Sequence, residues 1–173
     1  MSFKKVRDAH KTENTEDYLE IIADLLNAKG EAIIVDIDGT IATHYDPSGR
    51  QIREHHDYSQ VDKDLPVPDI IELVKMYDDK GYTILIVTGR MGNQMCRELT
   101  EKWLAEHLPV KYDQLLMRAD RDFRDDSIVK YEIYKDQIED NFDVRIVLDD
   151  RQRVVNMWRD AGLRVLQVDK GDF

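Results

Sequence analysis

Five short runs of this chain, AIIVDI, YTILIV, QLLM, VRIVL and LRVLQV, are apolar at most positions. A strand with one wet face alternates apolar and polar residues. A strand that is apolar throughout must be covered on both faces. Stretches of helical spacing separate the runs. PDIIELVKMYDDKG has Pro68 near its start and Gly81 just past its end, the preferred places for these residues. Met95, Leu99, Trp103 and Leu104 then fall at helical intervals before a stop at Pro109, and SIVKYEIYKDQI and QRVVNMWRDAG follow. Strands joined through helices pair in parallel. The expected fold is therefore α/β and Rossmann-like, a five-stranded, mostly parallel sheet with helices on both faces. Ahead of it, NTEDYLEIIADLLNAKG has helical spacing, a capping Asn14 or Thr15 and a terminal Gly30. Residues 1–30 are thus expected as a helical extension packed on a core domain of residues 31–173. Residues 43–66 show little periodicity and read as an irregular loop, a minimal cap rather than a further domain.

Composition narrows the functional classes. The 173 residues carry a net charge of −11, which works against a nucleic-acid binder relying on bulk charge but leaves room for local arginines and bound cations. Cys96 is the only cysteine, so no intrachain disulfide can form, which suits a reducing cytoplasm. MSFKKVRDAHK lacks the apolar stretch of a secretory signal, and no run is long enough to span a bilayer. The expectation is a cytoplasmic protein with no membrane partner.

The ends of the strands carry the chemistry. IIVDIDGTIA runs from a buried strand directly into Asp36, Asp38, Gly39 and Thr40. Thr88, Gly89 and Arg90 follow the second strand, and Asp149, Asp150 and Arg151 follow the fourth. Lys130 lies on the helix that enters the fourth strand. A parallel sheet brings all these ends to one edge, where α/β folds bind ligands. Singly, each residue has a plainer reading: the aspartates as helix caps, Thr88-Gly89 as a turn, Lys130 as a solvated lysine. Together they form a phosphotransfer set. Four carboxylates, Asp36, Asp38, Asp149 and Asp150, repel one another unless a hard divalent cation such as Mg²⁺ joins them. One Asp can attack phosphorus and a second can shuttle the proton. Thr88 and Lys130 can hold the phosphoryl oxygens.

DIDGT, VTGR, the lysine of SIVK and VLDD, in this order, resemble the haloacid dehalogenase (HAD) superfamily of phosphotransferases. The resemblance implies Asp36 as nucleophile and Asp38 as general acid/base, its backbone carbonyl also facing Mg²⁺. Thr88 and Lys130 complete the catalytic set, and Asp149 and Asp150 form the acidic pair, Asp150 being the closer metal ligand. Over residues 31–173 the chain is similar more narrowly to the phosphatase domain of phage-type polynucleotide kinase-phosphatases, through DYSQVDKD, IIELVKMYDDKGYTILIVTGR, FDVRIVLDDRQRVVNMWRDAGLRVLQV and GDF. That similarity implies a Mg²⁺-dependent removal of 3′-phosphates from DNA or RNA ends, with Arg50, Arg90 and Asp126 handling substrate. No GxxxxGK[ST] phosphate loop occurs in these residues, so a kinase partner would be separate. The segment THYDPSG is longer than its counterpart in the family.

Other readings compete. A phosphatase for free nucleotides or another small phosphorylated metabolite uses the same core residues. A signalling receiver domain also uses an acidic pair, a Thr, a Lys and a phosphorylated Asp, but places the pair first, whereas here DxDGT comes first. A noncatalytic end binder is the fourth reading. MRADRDFR reads as a salt-bridged loop in preference to a backbone-tracking stripe. His55 and His56 read as exposed loop residues, and Trp103 and Trp158 as packing.

Overall fold

The computed structural model describes residues 29–171. The amino-terminal helix expected before Gly30 lies outside these residues. Five strands form one parallel sheet: β1 (Gly30–Val35), β4 (Thr83–Met91), β5 (Gln114–Arg118), β6 (Phe142–Arg151) and β7 (Val165–Gly171), in the order β5-β4-β1-β6-β7. Two-residue strands β2 (Ala42–Thr43) and β3 (Leu65–Pro66) pair antiparallel and close the base of the loop that follows β1. That loop also holds a 3-10 helix, Tyr58–Lys63, so residues 43–66 have more regular structure than their patterning conveys.

Among the described residues, four helices cover the sheet. Helices α1 (Pro68–Asp78) and α2 (Gln94–His107) lie on one face. On the other lie α3 (Asp126–Ile133), which continues into a π-helical turn at Tyr134–Ile138, and α4 (Gln152–Asp160). The two-residue period of β1 explains the arrangement. Ile33 and Val35 pack toward Ile71, Val74, Trp103 and Leu104, while Ala32 and Ile34 pack toward Tyr134, Ile138, Val154 and Trp158. Every one of these residues is buried. No helix among the described residues is long and apolar enough to cross a membrane.

Register then sets the site. Val35 of β1 stands beside Ile86 of β4 and Leu148 of β6. One step further, the Asp36 amide donates to the Leu148 carbonyl at 3.0 Å, bringing Asp36 level with Asp149. Both flanking ladders shift register here, between Thr88 and Met91 and between Asp149 and Arg151. Such irregularities re-aim side chains at the ends of strands.

Candidate active site

Asp36, Asp149 and Asp150 meet at the carboxyl edge of the sheet, each buried, with carboxylate oxygens within 4.8 Å of one another. Lys130 reaches them from α3, its Nζ 2.9 Å from Asp36 Oδ1 and 2.9 Å from Asp149 Oδ2. Asp149 also accepts from the Trp158 indole at 3.2 Å and from the Arg151 amide at 3.2 Å. Trp158 therefore packs and anchors at once. Arg151, not an aspartate, holds the N-cap position of α4, so Asp149 and Asp150 are not helix caps.

Asp150 is the member without a salt bridge among the described residues. Two glycines make room for it. A Cβ at Gly39, whose φ is +78°, or at Gly171 would collide with its carboxylate. Burial, and then Asp149 beside it, push the Asp150 pKa up to about 7. Burial also raises Asp36 well above the usual carboxylate range, opposed by Lys130 and reinforced by Asp149 and Asp150. Burial alone would lower Lys130, but Asp149 and Asp36 hold it above the ordinary lysine range. Three carboxylates against one ammonium leave surplus negative charge. A buried, oxygen-only donor set with such a surplus fits a hard divalent cation of the Mg²⁺ class. Asp36, Asp149 and Asp150 could hold it.

Asp38 is two residues from Asp36 and keeps different company. Arg90 grips it through Nε at 2.9 Å and Nη2 at 2.8 Å, and Arg53 Nη2 reaches it at 2.8 Å. The same two arginines hold Asp64, Arg53 at 2.7 and 2.8 Å and Arg90 at 2.6 Å. Trp103 fixes this second acid from behind, its indole donating to the Asp64 carbonyl at 2.8 Å. Arg53, Arg90 and Asp64 have fully buried side chains. Against burial, which pushes it up, the Arg90 and Arg53 guanidiniums hold the Asp38 carboxyl well below its ordinary value. Its carboxylate is thus committed to arginines and stands outside the three-acid cluster. The sequence groups the Asp38 carboxylate with the other three around a cation, but here arginines take that carboxylate, and only the backbone carbonyl that the resemblance turns toward Mg²⁺ is left unengaged by this pairing.

The remaining expected residues divide. Asp126 lines the pocket with Asp36, Asp38 and Lys130 and forms ion pairs with Arg118 and Arg151. A Cβ at Gly89 would come within 2.8 Å of the Asp126 carboxylate, so the glycine after Thr88 has a steric role. Thr88 and Arg90 are fully buried and stand behind the pocket wall, the Thr88 hydroxyl accepting the Arg90 amide at 3.3 Å. Arg50 is not brought to the site. Its side chain is 84% exposed and pairs with Asp46 within its own loop. Arg53, three residues on, is the loop arginine that reaches Asp38. THYDPSG, residues 43–49, precedes both arginines, and from patterning alone an arginine three positions away is equivalent.

His55 corrects another expectation. His56 is exposed, but His55 is half-buried and lines the pocket. Burial pulls its pKa down to about 4, so the ring is neutral at neutral pH. Arg151, named from the sequence only as a strand-end residue, lines the pocket, as does Tyr58, which was not singled out; nor were Arg53 and Asp64. DYSQVDKD does contain Tyr58 and Asp64, but nothing in its spacing marks either as buried. The expected salt bridges of MRADRDFR are present, Arg118 with Asp126 and Arg124 with Asp122 and Glu132.

The comparisons with known proteins agree with this geometry. Residues 30–173 match the family model described as the polynucleotide kinase PNKP phosphatase domain. A protein of Autographa californica nuclear polyhedrosis virus that bears the name bifunctional polynucleotide kinase/RNA ligase is 29% identical over 130 residues, spanning 75% of this chain and 18% of the viral protein. A protein in a solved structure of a Pnkp1/Rnl/Hen1 complex superposes with a TM-score of 0.75 at 36% identity, over 84% of this chain and 47% of its own. A second such structure, of the Pnkp1/Rnl/Hen1 RNA repair complex, gives the same score and identity over 84% of this chain and 44% of its own. The chain thus spans less than half the length of these relatives. With the DxDGT strand, the buried lysine and the acidic pair converging on one sheet edge, the chain belongs to the HAD-type polynucleotide kinase phosphatase-domain family and is a phosphatase.

Proposed function

We propose that this phosphatase removes 3′-phosphates from nucleic-acid ends with Mg²⁺ as cofactor, through an aspartyl-phosphate on Asp36. The observation that carries the reading is the cluster of Asp36, Lys130, Asp149 and Asp150, which brings the carboxylates of Asp36 and Asp150 to a pocket with a charge surplus suited to a cation. Bound there, Mg²⁺ would favour the carboxylate forms of its ligands and offset the charge of an incoming phosphate.

The side chains then divide the work. The Asp36 carboxylate attacks phosphorus, and the bond from phosphorus to the substrate 3′ oxygen breaks. The departing oxygen takes its proton from Asp38. In the resting geometry Asp38 is an anion held by two arginines, so it must first take up that proton, and a phosphate dianion arriving beside it favours this. In the second half, Asp38 accepts a proton from water as the water oxygen bonds to phosphorus. The bond from phosphorus to Asp36 then breaks and inorganic phosphate leaves. Lys130, held between Asp36 and Asp149, keeps the nucleophile oriented and offers positive charge to the phosphoryl oxygens. Thr88 and Arg90 act from behind the wall. Arg90 sets the Asp38 carboxylate, and Asp126 sets Arg118 and Arg151. The lone, buried Cys96 suits a reducing cytoplasm. The names of the relatives, a bifunctional polynucleotide kinase/RNA ligase and a Pnkp1/Rnl/Hen1 complex, support a nucleic-acid substrate and work alongside kinase and ligase activities.

Phosphate release should be measured across 3′- and 5′-phosphorylated oligonucleotides and mononucleotides, with and without Mg²⁺. Release confined to 3′-phosphates, stronger on oligonucleotides and abolished by chelation, is expected. Release from mononucleotides alone would give way to the free-nucleotide reading.

A further inference from the structure

A second concavity of about 440 Å³ adjoins the catalytic pocket and shares His55, Tyr58, Asp126 and Arg151 with it. Its far wall carries Phe123 and the guanidiniums of Arg124 and Arg153. Phe123 is 84% exposed, the most exposed large apolar side chain among the described residues. Its backbone is nonetheless pinned. Arg118, nearly buried, donates to the carbonyls of Asp122 and Arg124, the residues on either side, at 3.0 and 2.6 Å. The Arg124 amide also donates to Asp122 Oδ1 at 3.0 Å. A fixed backbone therefore holds an aromatic face out in solvent beside the reaction site, an arrangement that packing among the described residues does not require.

Resting on the 3′-end reading, we propose that this groove binds the nucleotide preceding the 3′-terminal one in a single strand, its base stacked on Phe123 and its phosphate met by Arg124 and Arg153. Charge argues for this occupant. The groove is lined by four arginines, Arg118, Arg124, Arg151 and Arg153, against three aspartates, on a chain whose net charge is −11. Arg124 and Arg153 are half-exposed, and their pairing with Asp122, Glu132 and Asp125 holds the guanidiniums extended along the wall. Asp122 and Glu132 engage Nε, Nη2 and one Nη1 donor of Arg124, and of its five N–H donors the second on Nη1 stays available to phosphate, while the half-exposed Arg153 adds positive charge beside it. Stacking on an aromatic face tolerates any base, which suits an enzyme that reads ends rather than sequence. Continuity with the pocket sets polarity: the two concavities share His55, Tyr58, Asp126 and Arg151, so a strand with its terminal phosphate at Asp36 can run along this wall.

The test compares kcat/KM for a 3′-phosphorylated dinucleotide with that for a nucleoside 3′-monophosphate. In Phe123→Ala the ratio should fall about fivefold or more, through KM, and Phe123→Trp should restore it. An unchanged ratio, or an equal fall for both substrates, overturns the groove. Binding supplies a readout independent of turnover. A 3′-hydroxyl oligonucleotide should quench the fluorescence of Phe123→Trp relative to the same change made in Phe123→Trp/Arg153→Ala, where quenching should weaken. Quenching without hydrolysis of any 3′-phosphate would retain the groove and sink the 3′-end reading. Hydrolysis without quenching would do the reverse.

Discussion

Two buried charge clusters flank the DxDGT turn, and they are built on opposite plans. The cluster of Asp36, Lys130, Asp149 and Asp150 sets three acids against one base. The cluster of Asp38, Asp64, Arg53 and Arg90 sets two acids against two bases, every carboxylate held by a guanidinium. Asp36 and Asp38 lie two residues apart on one turn, yet burial raises the first and arginines lower the second. The difference teaches how one motif obtains two chemistries. The first cluster keeps a charge surplus, which the proposed cation and nucleophile would use. The second neutralises itself and holds in place Asp38, the carboxylate proposed to transfer the proton.

Breaking the first cluster at Asp36, the proposed nucleophile, should have the largest effect. Asp36→Asn should reduce phosphate release ~10³-fold or more while the protein stays folded, which a phosphate assay with a thermal melt checks. Next is the self-neutralised cluster. Arg90→Ala strands Asp38 and Asp64 with one arginine between them, and should lower unfolding free energy by ~3–5 kcal/mol in denaturant titration. Arg53→Ala should act in the same direction, and both should reduce turnover.

Asp150→Asn separates the plans by pH. The folded chain holds the Asp150 proton up to about pH 7, against an ordinary carboxyl value of 3.8. Between these values the folded state binds more protons than the unfolded, so this group's contribution to stability declines as pH rises. Without metal, Asp150→Asn should therefore raise the melting temperature by several degrees at pH 8 and by much less at pH 4. Added Mg²⁺ should raise the melting temperature of the parent and leave that of the variant nearly unchanged. The smallest effect is reserved for Arg50→Ala, which should leave melting temperature and mononucleotide turnover close to the parent. A loss matching that of Arg53→Ala would show that the loop closes over substrate with Arg50 inside.

Local patterning made much of this molecule legible. Uniform apolarity in AIIVDI and YTILIV implies strands covered on both faces, and the sheet observed is parallel with helices on each side. Asp36, Lys130, Asp149 and Asp150 were readable because each sits at a fixed step from a strand or helix whose position the pattern sets. The arginines were not. A guanidinium reaches several ångströms from its backbone, so Arg50, Arg53 and Arg90 differ by what they meet in space. Arg50 meets Asp46 and solvent, whereas Arg53 and Arg90 meet Asp38 and Asp64. Asp64 looks like any polar residue of an irregular loop until Trp103, thirty-nine positions later, donates to its carbonyl.

Sequence by itself determined the layered fold, the edge where the chemistry gathers and the aspartates that meet there, because two- and three-to-four-residue periodicities and strand register are local properties. Tertiary structure alone decided which arginine pairs with which acid, that Asp38 is clamped while Asp150 has no salt bridge among the described residues, and that Phe123 is held outward beside the pocket. Long side chains and loops take their partners from neighbours distant in the chain, and no local pattern encodes those neighbours.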